Sequence, residues 1–298
     1  MDTKPRVIAV VGTNASGKSG LGIQLAAHFH GEVISADSRQ VYKGLDLGSG
    51  KVTEEEMQGV PHHLLDVCEP GHFFSMADFQ RLSYETIDDI LSRGKTPFIV
   101  GGTGLYVDSV CDGYVLSNIE PDLNYRRELE KLQTEELYAM LIKVMPETEV
   151  DPRNRNRVMR VLEKIHDGDM RADTKQPRYD VLRLGVTWDR ETLCRRIDER
   201  LKMRMQQGML DEVQRLIDAG VTRDFLYRLG LEYRYIAQYL LGEIPDINVM
   251  LDELSKAIKR FAKRQMTWFR RDKSIIWLDM QNDPKAQAIR EIEKFLGA

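Results

Sequence analysis

The segment RVIAVVGTNASGKSGLGIQLA near the start of the chain fixes the fold class more tightly than any other feature. Residues Gly12 to Ser19 read Gly, four residues, Gly, Lys, Ser, the spacing of a phosphate-cradling loop. Its flanks agree with that reading. Val7 to Val11 is an unbroken apolar run rich in β-branched residues, as a strand buried on both faces requires. After Lys18, Leu21, Gln24, Leu25 and Phe29 recur at helical spacing. Gly12 and Gly17 permit the tight backbone that turns successive N–H groups of Thr13, Asn14, Ala15 and Ser16 toward one anion. The helix N-terminus adds partial positive charge. Lys18 supplies a full charge, and the Ser19 hydroxyl suits Mg²⁺. The loop does not say whether its phosphates belong to a nucleotide or to a leaving group.

The next hundred residues alternate strand and helix. GEVISAD ends a second strand at Asp37, helical periodicity runs from Met76 to Leu91, and PFIVGGTG is a buried strand entering a glycine turn. Such alternation predicts a parallel sheet with helices on both faces. Ligands then sit beyond the carboxyl ends of the strands. Gly12–Ser19, Asp37–Gln40 and Gly101–Thr103 each follow a strand, so they are expected along one edge. From about Ile119 to Asp169 the chain is charged, helical in pattern and nearly free of strand signals. Val181 to Val186 restores a strand, helices are expected around 190–219, 230–241 and 248–270, and Ser274 to Asp279 forms a further strand. The organisation expected is an α/β core over 1–118 and 179–298, interrupted by a helical insertion over 119–178.

With 298 residues, 42% of them hydrophobic, the chain has ample core, and its net charge of −4 does not announce a nucleic-acid binder. The three cysteines, Cys68, Cys111 and Cys194, have no metal-ligand spacing and suit a reducing compartment. MDTKPR runs directly into the first strand, and no apolar run approaches the roughly 20 residues that span a bilayer. A soluble, cytoplasmic protein is expected.

Several clusters bear on chemistry. In SADSRQVY, Asp37 at a strand end can hold Mg²⁺ through water or accept a proton. Ser38, Arg39 and Gln40 add groups able to bond a base edge or a phosphate. Thr103 places a hydroxyl at the next strand end. His62 and His63 in VPHHLLDV face opposite ways on a strand without a third ligand, so a structural pair is expected. In DPRNRNRVMRVLE, Arg153, Arg157 and Arg160 fall on one helical face with Val158, Val161, Leu162 and Ile165 opposite. Asn154 and Asn156 lie among them, a pattern fitting an RNA backbone. KRFAKRQMTWFRR carries Lys259, Arg260, Lys263, Arg264, Arg270 and Arg271 with no acid between Ala257 and Arg271. Trp268 is expected in the core, and the cations form a local positive patch.

Together these pieces resemble the bacterial tRNA dimethylallyltransferases. GTNASGKS, ISADSRQVYKGLDLGSGK, VPHHLLDV, FSMADFQR, VGGTGLY, NRNRVMRVLE, RIDERLKMRMQQGMLDEV and KRQMTWFRRD occur in that family's order over nearly the whole chain. The resemblance implies a P-loop NTPase-like fold turned from kinase chemistry to alkyl transfer. The donor would be dimethylallyl diphosphate, and the acceptor N6 of the adenine 3′ of the anticodon, flipped from the anticodon-loop stack. On this resemblance Asp37 is the base and Thr103 a catalytic-site contact. Gly12–Ser19 and Arg126 hold the diphosphate, with Mg²⁺ at Ser19. Asp37, Ser38, Arg39, Gln40, Asn156, Arg157, Arg160, Arg228, Arg234, Lys263 and Arg264 contact the tRNA. A monomer suffices. The chain departs from the family by ending its loop in Ser19 where many members have Thr. It also reads Leu231-Glu232-Tyr233 where many read Gly-Tyr. Three other readings share some of these features: a small-molecule or nucleotide kinase, a prenyltransferase of free adenylates, and a nucleotide-regulated RNA-binding module.

Overall fold

The computed structural model describes residues 4–116, 122–169 and 174–297. The expected 118/119 boundary lies outside them. The chain divides into two compact units, Met1–Gly113 with Pro177–Ala298, and Tyr114–Gln176.

In the first unit the strands are β1 (Arg6–Gly12), β2 (Gly31–Ala36), β3 (His62–His63), β4 (Thr96–Gly101), β5 (Asp180–Thr187) and β6 (Ile276–Asp279). Its helices are α1 (Lys18–His28), α2 (Glu54–Met57), α3 (Met76–Ser92) and α4 (Gly104–Cys111) before the second unit. After it come α8 (Arg190–Gln206), α9 (Met209–Asp218), α10 (Arg223–Leu229), α11 (Leu231–Leu240), α12 (Ile247–Phe269) and α13 (Pro284–Leu296). The second unit holds α5 (Leu123–Lys131), α6 (Thr134–Val144) and α7 (Arg155–His166).

The six strands form one parallel sheet in the order β3-β2-β4-β1-β5-β6. Parallel strands are covered on both faces, which is why β1 and β4 read as continuous apolar runs. One face packs Ile8, Val10 and Phe98 against Leu25 of α1 and Ile292 of α13. The other packs Val7, Val11 and Ile99 against Ile87 of α3, Val110 of α4 and Phe269 of α12. Register sets the site. Val11 and Ala36 both pair with Gly101, and Gly12 pairs with Val186. The carboxyl ends of β1, β2 and β4 therefore lie level, and the three loops after them share one edge of the sheet.

A separate apolar cluster joins α8 through α12 by Leu201, Val213, Ile236 and Leu254. The helix expected over 190–219 is broken at Gly208, whose φ of 96° is the left-handed conformation glycine adopts without strain. In α1 the apolar face is Leu21, Ile23 and Leu25; Gln24 is exposed, because its position turns away from the sheet. In the second unit, α5, α6 and α7 pack around Leu129, Leu137, Leu141, Val158 and Leu162. Arg153 precedes that last helix, which starts after the N-cap Asn154, so it does not continue the arginine face as its spacing predicted. Among the described residues, no helix is long and apolar enough to cross a membrane.

Candidate active site

The phosphate loop is held from outside. The Ser16 Oγ donates to the Thr13 carbonyl at 2.8 Å. The Trp188 indole, just past β5, donates to the Ser16 carbonyl at 2.9 Å. Arg196 of α8 donates its Nε–H to the Ala15 carbonyl at 2.9 Å. Lys18 Nζ reaches the Thr13 carbonyl at 3.4 Å. With these carbonyls tied back, the loop keeps its concave backbone. Ala15 and Gly17 adopt left-handed φ of 59° and 87°. Gly12 is needed for a different reason: a Cβ there would lie 2.6 Å from Val186 Cγ2. Thr13 and Ser16 are buried, with their hydroxyls engaged inside the loop.

The sheet edge carries the second half of the site. The Asp37 Oδ1 accepts the Arg39 N–H at 2.9 Å, which fixes the carboxylate just beyond β2. The Thr103 Oγ1 accepts the Ser38 N–H at 3.0 Å, and the Thr103 N–H donates to the Ala36 carbonyl at 3.1 Å. Thr103 thus holds the Asp37 turn. Gln40 accepts the Ser35 hydroxyl at 2.8 Å and donates to the Gly50 carbonyl at 3.1 Å, so both ends of its amide serve the fold. The Arg39 guanidinium lies 5.4 Å from the Phe261 ring centre, a cation–π distance.

Lys18, Ser19, Asp37 and Arg39 line one cavity, together with Arg200 and Arg204 of α8. Burial lowers the Lys18 ammonium to a pKa of about 8, against the pull of Asp37 and with the repulsion of Arg200 and Arg204. Burial and the neighbouring Arg204 likewise lower Arg200 to about 10. A cluster of cations whose charge is penalised in this way is built to meet an anion.

Two parts of this arrangement were not expected from the sequence. Arg196, Arg200 and Arg204 stand at i, i+4 and i+8 of α8, a stripe visible in RIDERLKMRMQQG to anyone asking which face turns toward the loop. Gln265 lies inside KRQMTWFRRD, where the cations and aromatics drew the reading and its carboxamide had no assigned role. Its carboxamide accepts the Asn14 N–H at 2.9 Å and donates to the Gly102 carbonyl at 2.9 Å, clamping the phosphate loop to the turn that carries Thr103. The Asn14 N–H is thereby committed to protein.

The remaining expected residues fall elsewhere. Lys263 and Arg264 are exposed on α12. Trp268, expected in the core, is only half-buried. Its indole donates to Asp108 at 2.8 Å, the Arg271 guanidinium stacks 3.8 Å from its ring centre, and Phe269 takes the core position instead. Arg228 pairs with Asp224 at 3.2 Å, and Arg234 donates to the Tyr227 carbonyl at 2.7 Å. Arg126 belongs to the second unit, where it lies 3.6 Å from buried Glu163; Arg160 meets the same carboxylate at 3.3 Å. Asn156 and Arg157 are exposed on α7. His62 Nδ1 lies 2.8 Å from the Val60 carbonyl oxygen, and His63 Nε2 lies 2.8 Å from the Glu32 carboxylate, two structural roles on opposite faces.

The chain is similar to known proteins over nearly its whole length. The family model described as IPP transferase matches residues 40–272. The chain is 43% identical over 296 residues to tRNA dimethylallyltransferase 2 of Citrifermentans bemidjiense, covering 97% of this chain and 96% of the relative. Its structure is similar to the full-length tRNA isopentenylpyrophosphate transferase of Bacillus halodurans, with TM-score 0.75, 38% identity, and 99% and 96% of the two chains covered. It is also similar to a eukaryotic dimethylallyltransferase acting on tRNA, with TM-score 0.84, 26% identity, and 98% and 80% covered. A sheet edge carrying a glycine loop and a carboxylate is common to many chemistries, but the family model matches residues 40–272 and the relative covers 97% of the chain, which belongs to the IPP transferase family.

Proposed function

We propose that the protein transfers a dimethylallyl group from dimethylallyl diphosphate to N6 of the adenine 3′ of the anticodon in tRNA, releasing diphosphate. The observation that carries this reading is that Lys18 and Asp37 line one cavity, within a chain of this family. A leaving anion and a departing proton can be received at the same place.

The chemistry follows from the residues. The allylic C–O bond breaks with its electron pair going to the diphosphate, while the adenine amine forms the new N–C bond. Growing charge on the diphosphate is met by Lys18 and the loop N–H groups, which are pre-aimed and need no reorganisation. The amine lone pair is delocalised into the ring, so loss of its proton must accompany attack. Asp37, held by the Arg39 N–H and by the turn that Thr103 secures, accepts that proton.

Among the described residues, no group of three or more His, Cys, Asp or Glu can hold a metal. Mg²⁺ suits such a site, since it takes one or two protein oxygens and completes its shell with water and phosphate. The Ser19 hydroxyl, with Asp37 through water, would hold it. When bound it offsets charge on the leaving diphosphate. For the tRNA, the exposed Arg157 and Asn156, Arg160, and the α12 cations Lys263 and Arg264 offer contacts to the anticodon stem-loop. Unit Tyr114–Gln176 would act as the clasp.

The test is incubation with Mg²⁺, dimethylallyl diphosphate and unmodified tRNA, followed by mass spectrometry for N6-prenyladenosine. Prenylated tRNA that is lost in Asp37→Asn is the expected result. Prenylated AMP in a parallel reaction would move the acceptor to free adenylates, and ATP turnover without prenyl product would overturn the assignment.

A further inference from the structure

Four cations and two carboxylates line the cavity: Lys18, Arg39, Arg200 and Arg204 against Asp37 and Glu232. The formal excess of two positive charges is held where water is scarce. Arg204 is the most exacting member. It is nine-tenths buried, and its charge is disfavoured first by that burial. Among the described residues, no hydrogen bond or ion pair engages its guanidinium. Glu232 and Asp37 relieve the charge only through the field they set up. An unpaired buried guanidinium costs stability, and a fold retains one where something outside the fold completes it.

The chain also makes room for this group. Gly50 has a left-handed φ of 66°, and a Cβ there would overlap the Nη2 atoms of both Arg204 and Arg200. Glycine is therefore required at 50 twice, by backbone and by the arginine pair. The loop that presents it is itself anchored. Buried Glu212 accepts the N–H groups of Asp46, Leu47 and Gly48 at 3.0, 2.7 and 3.0 Å and the Tyr233 hydroxyl at 2.9 Å. Arg200 donates to the Gly50 carbonyl at 3.5 Å. Arg204 has no such tether.

We infer that Arg204 is a donor-binding residue, whose guanidinium takes diphosphate oxygens and completes, with Lys18 and Arg200, a trio of cations around the leaving group. This rests on the reading of the cavity as a prenyl diphosphate site. A prenyl diphosphate carries two to three negative charges, enough to neutralise the excess, and the planar fork of arginine suits phosphate oxygens. Arg204 adds to the phosphate loop a contact that the loop motif does not encode.

Titration calorimetry with inorganic diphosphate in Mg²⁺ tests this on the full-length protein, beside filter binding of unmodified tRNA and thermal melts. Arg204→Met is expected to weaken diphosphate binding about ten- to a hundredfold, as removal of a charge-assisted hydrogen bond does. It should leave tRNA affinity within twofold and should not lower Tm, since an unpaired buried charge is removed. Gly50→Ala, which crowds Arg204 and Arg200 alike, should weaken diphosphate binding at least as much as Arg204→Met does. If Arg204→Met binds diphosphate like wild type while Lys18→Met does not bind it, the role of Arg204 falls and the donor site stands. A lowered Tm with diphosphate and tRNA affinity weakened together would make Arg204 structural and equally overturn the inference. If the wild-type protein itself binds no diphosphate, the donor reading falls and this inference with it.

Discussion

Positive charge stands in two different settings in this protein. Around the phosphate loop, Arg204 is buried, Lys18 and Arg200 are half-buried, and the three repel one another. Along α7 and the segment before it, the arginines are exposed or answered by their own unit. Arg153 pairs with Asp151 at 3.1 Å, Arg155 donates to the Leu132 carbonyl at 2.6 Å, and Arg160 meets Glu163. A cation in water costs little and gains little, so exposed arginines bind a polyanion weakly, collectively and with strong salt dependence. A cation deprived of water binds one small anion firmly and in one geometry. The first setting suits a diphosphate, the second an RNA backbone.

The sharpest way to break this contrast is at the centre of the cavity. Asp37→Asn, which keeps shape and removes the proton acceptor, is expected to lower kcat by a factor of about 10²–10⁴ while donor affinity holds. A kcat near wild type would remove Asp37 from the chemistry. Lys18→Met should lower kcat/KM by roughly 10²–10³, as removal of one charge-stabilising donor does, measured by steady-state kinetics with varied donor. An effect as small as that of an α7 arginine would erase the distinction.

Titration sharpens the contrast next. In the ligand-free protein Lys18 loses its proton as pH rises through about 8, so its charge is present below that value and lost above it. The Kd of dimethylallyl diphosphate should be flat from pH 6.5 to 7.5 and about tenfold weaker at pH 9. Calorimetry should also show proton uptake on binding near pH 8.5. The arginines of α7 predict no such dependence for tRNA over the same range.

The smaller effects belong to the exposed cations. Arg157→Gln with Arg160→Gln should weaken tRNA a few-fold and reduce the slope of log K against log salt by roughly 0.7–0.9 for each phosphate no longer neutralised. The donor KM should stay unchanged. Arg153→Ala, off the helix and already paired with Asp151, should leave tRNA affinity within about twofold and Tm unchanged. A large effect there would mean that the whole arginine run acts together.

The sequence was most informative where chemistry is local. The phosphate loop announces itself because glycine, lysine and a hydroxyl must fall at fixed offsets along a backbone that turns once. The strand that leads into it is apolar from Val7 to Val11 because both its faces are covered, and that pattern needs no partner to be seen. Asp37 and Thr103 were legible for the same reason, each standing where a buried strand stops. The arginine face of α7 was only half legible. Spacing proposed Arg153, but Asn154 caps the helix and leaves it outside. Trp268 meets its core expectation only in part: its ring packs against the apolar cluster, while the polar edge of the indole donates to Asp108 and Phe269 takes the fully buried place.

What the sequence alone determined, then, is a parallel sheet, a tight glycine loop carrying Lys18 between strand and helix, and a carboxylate at a neighbouring strand end, all of which follow from periodicity and from residue types at fixed separations. Tertiary structure decided which distant side chains complete them. Gln265 closes on Asn14 and Gly102 only because α12 packs across the sheet. Arg204 approaches Lys18 only because α8 runs beside the loop and Gly50 leaves it space. Burial, and with it the lowered pKa of Lys18, is a property of the packed chain, because a charge is penalised by the water that folding removes around it.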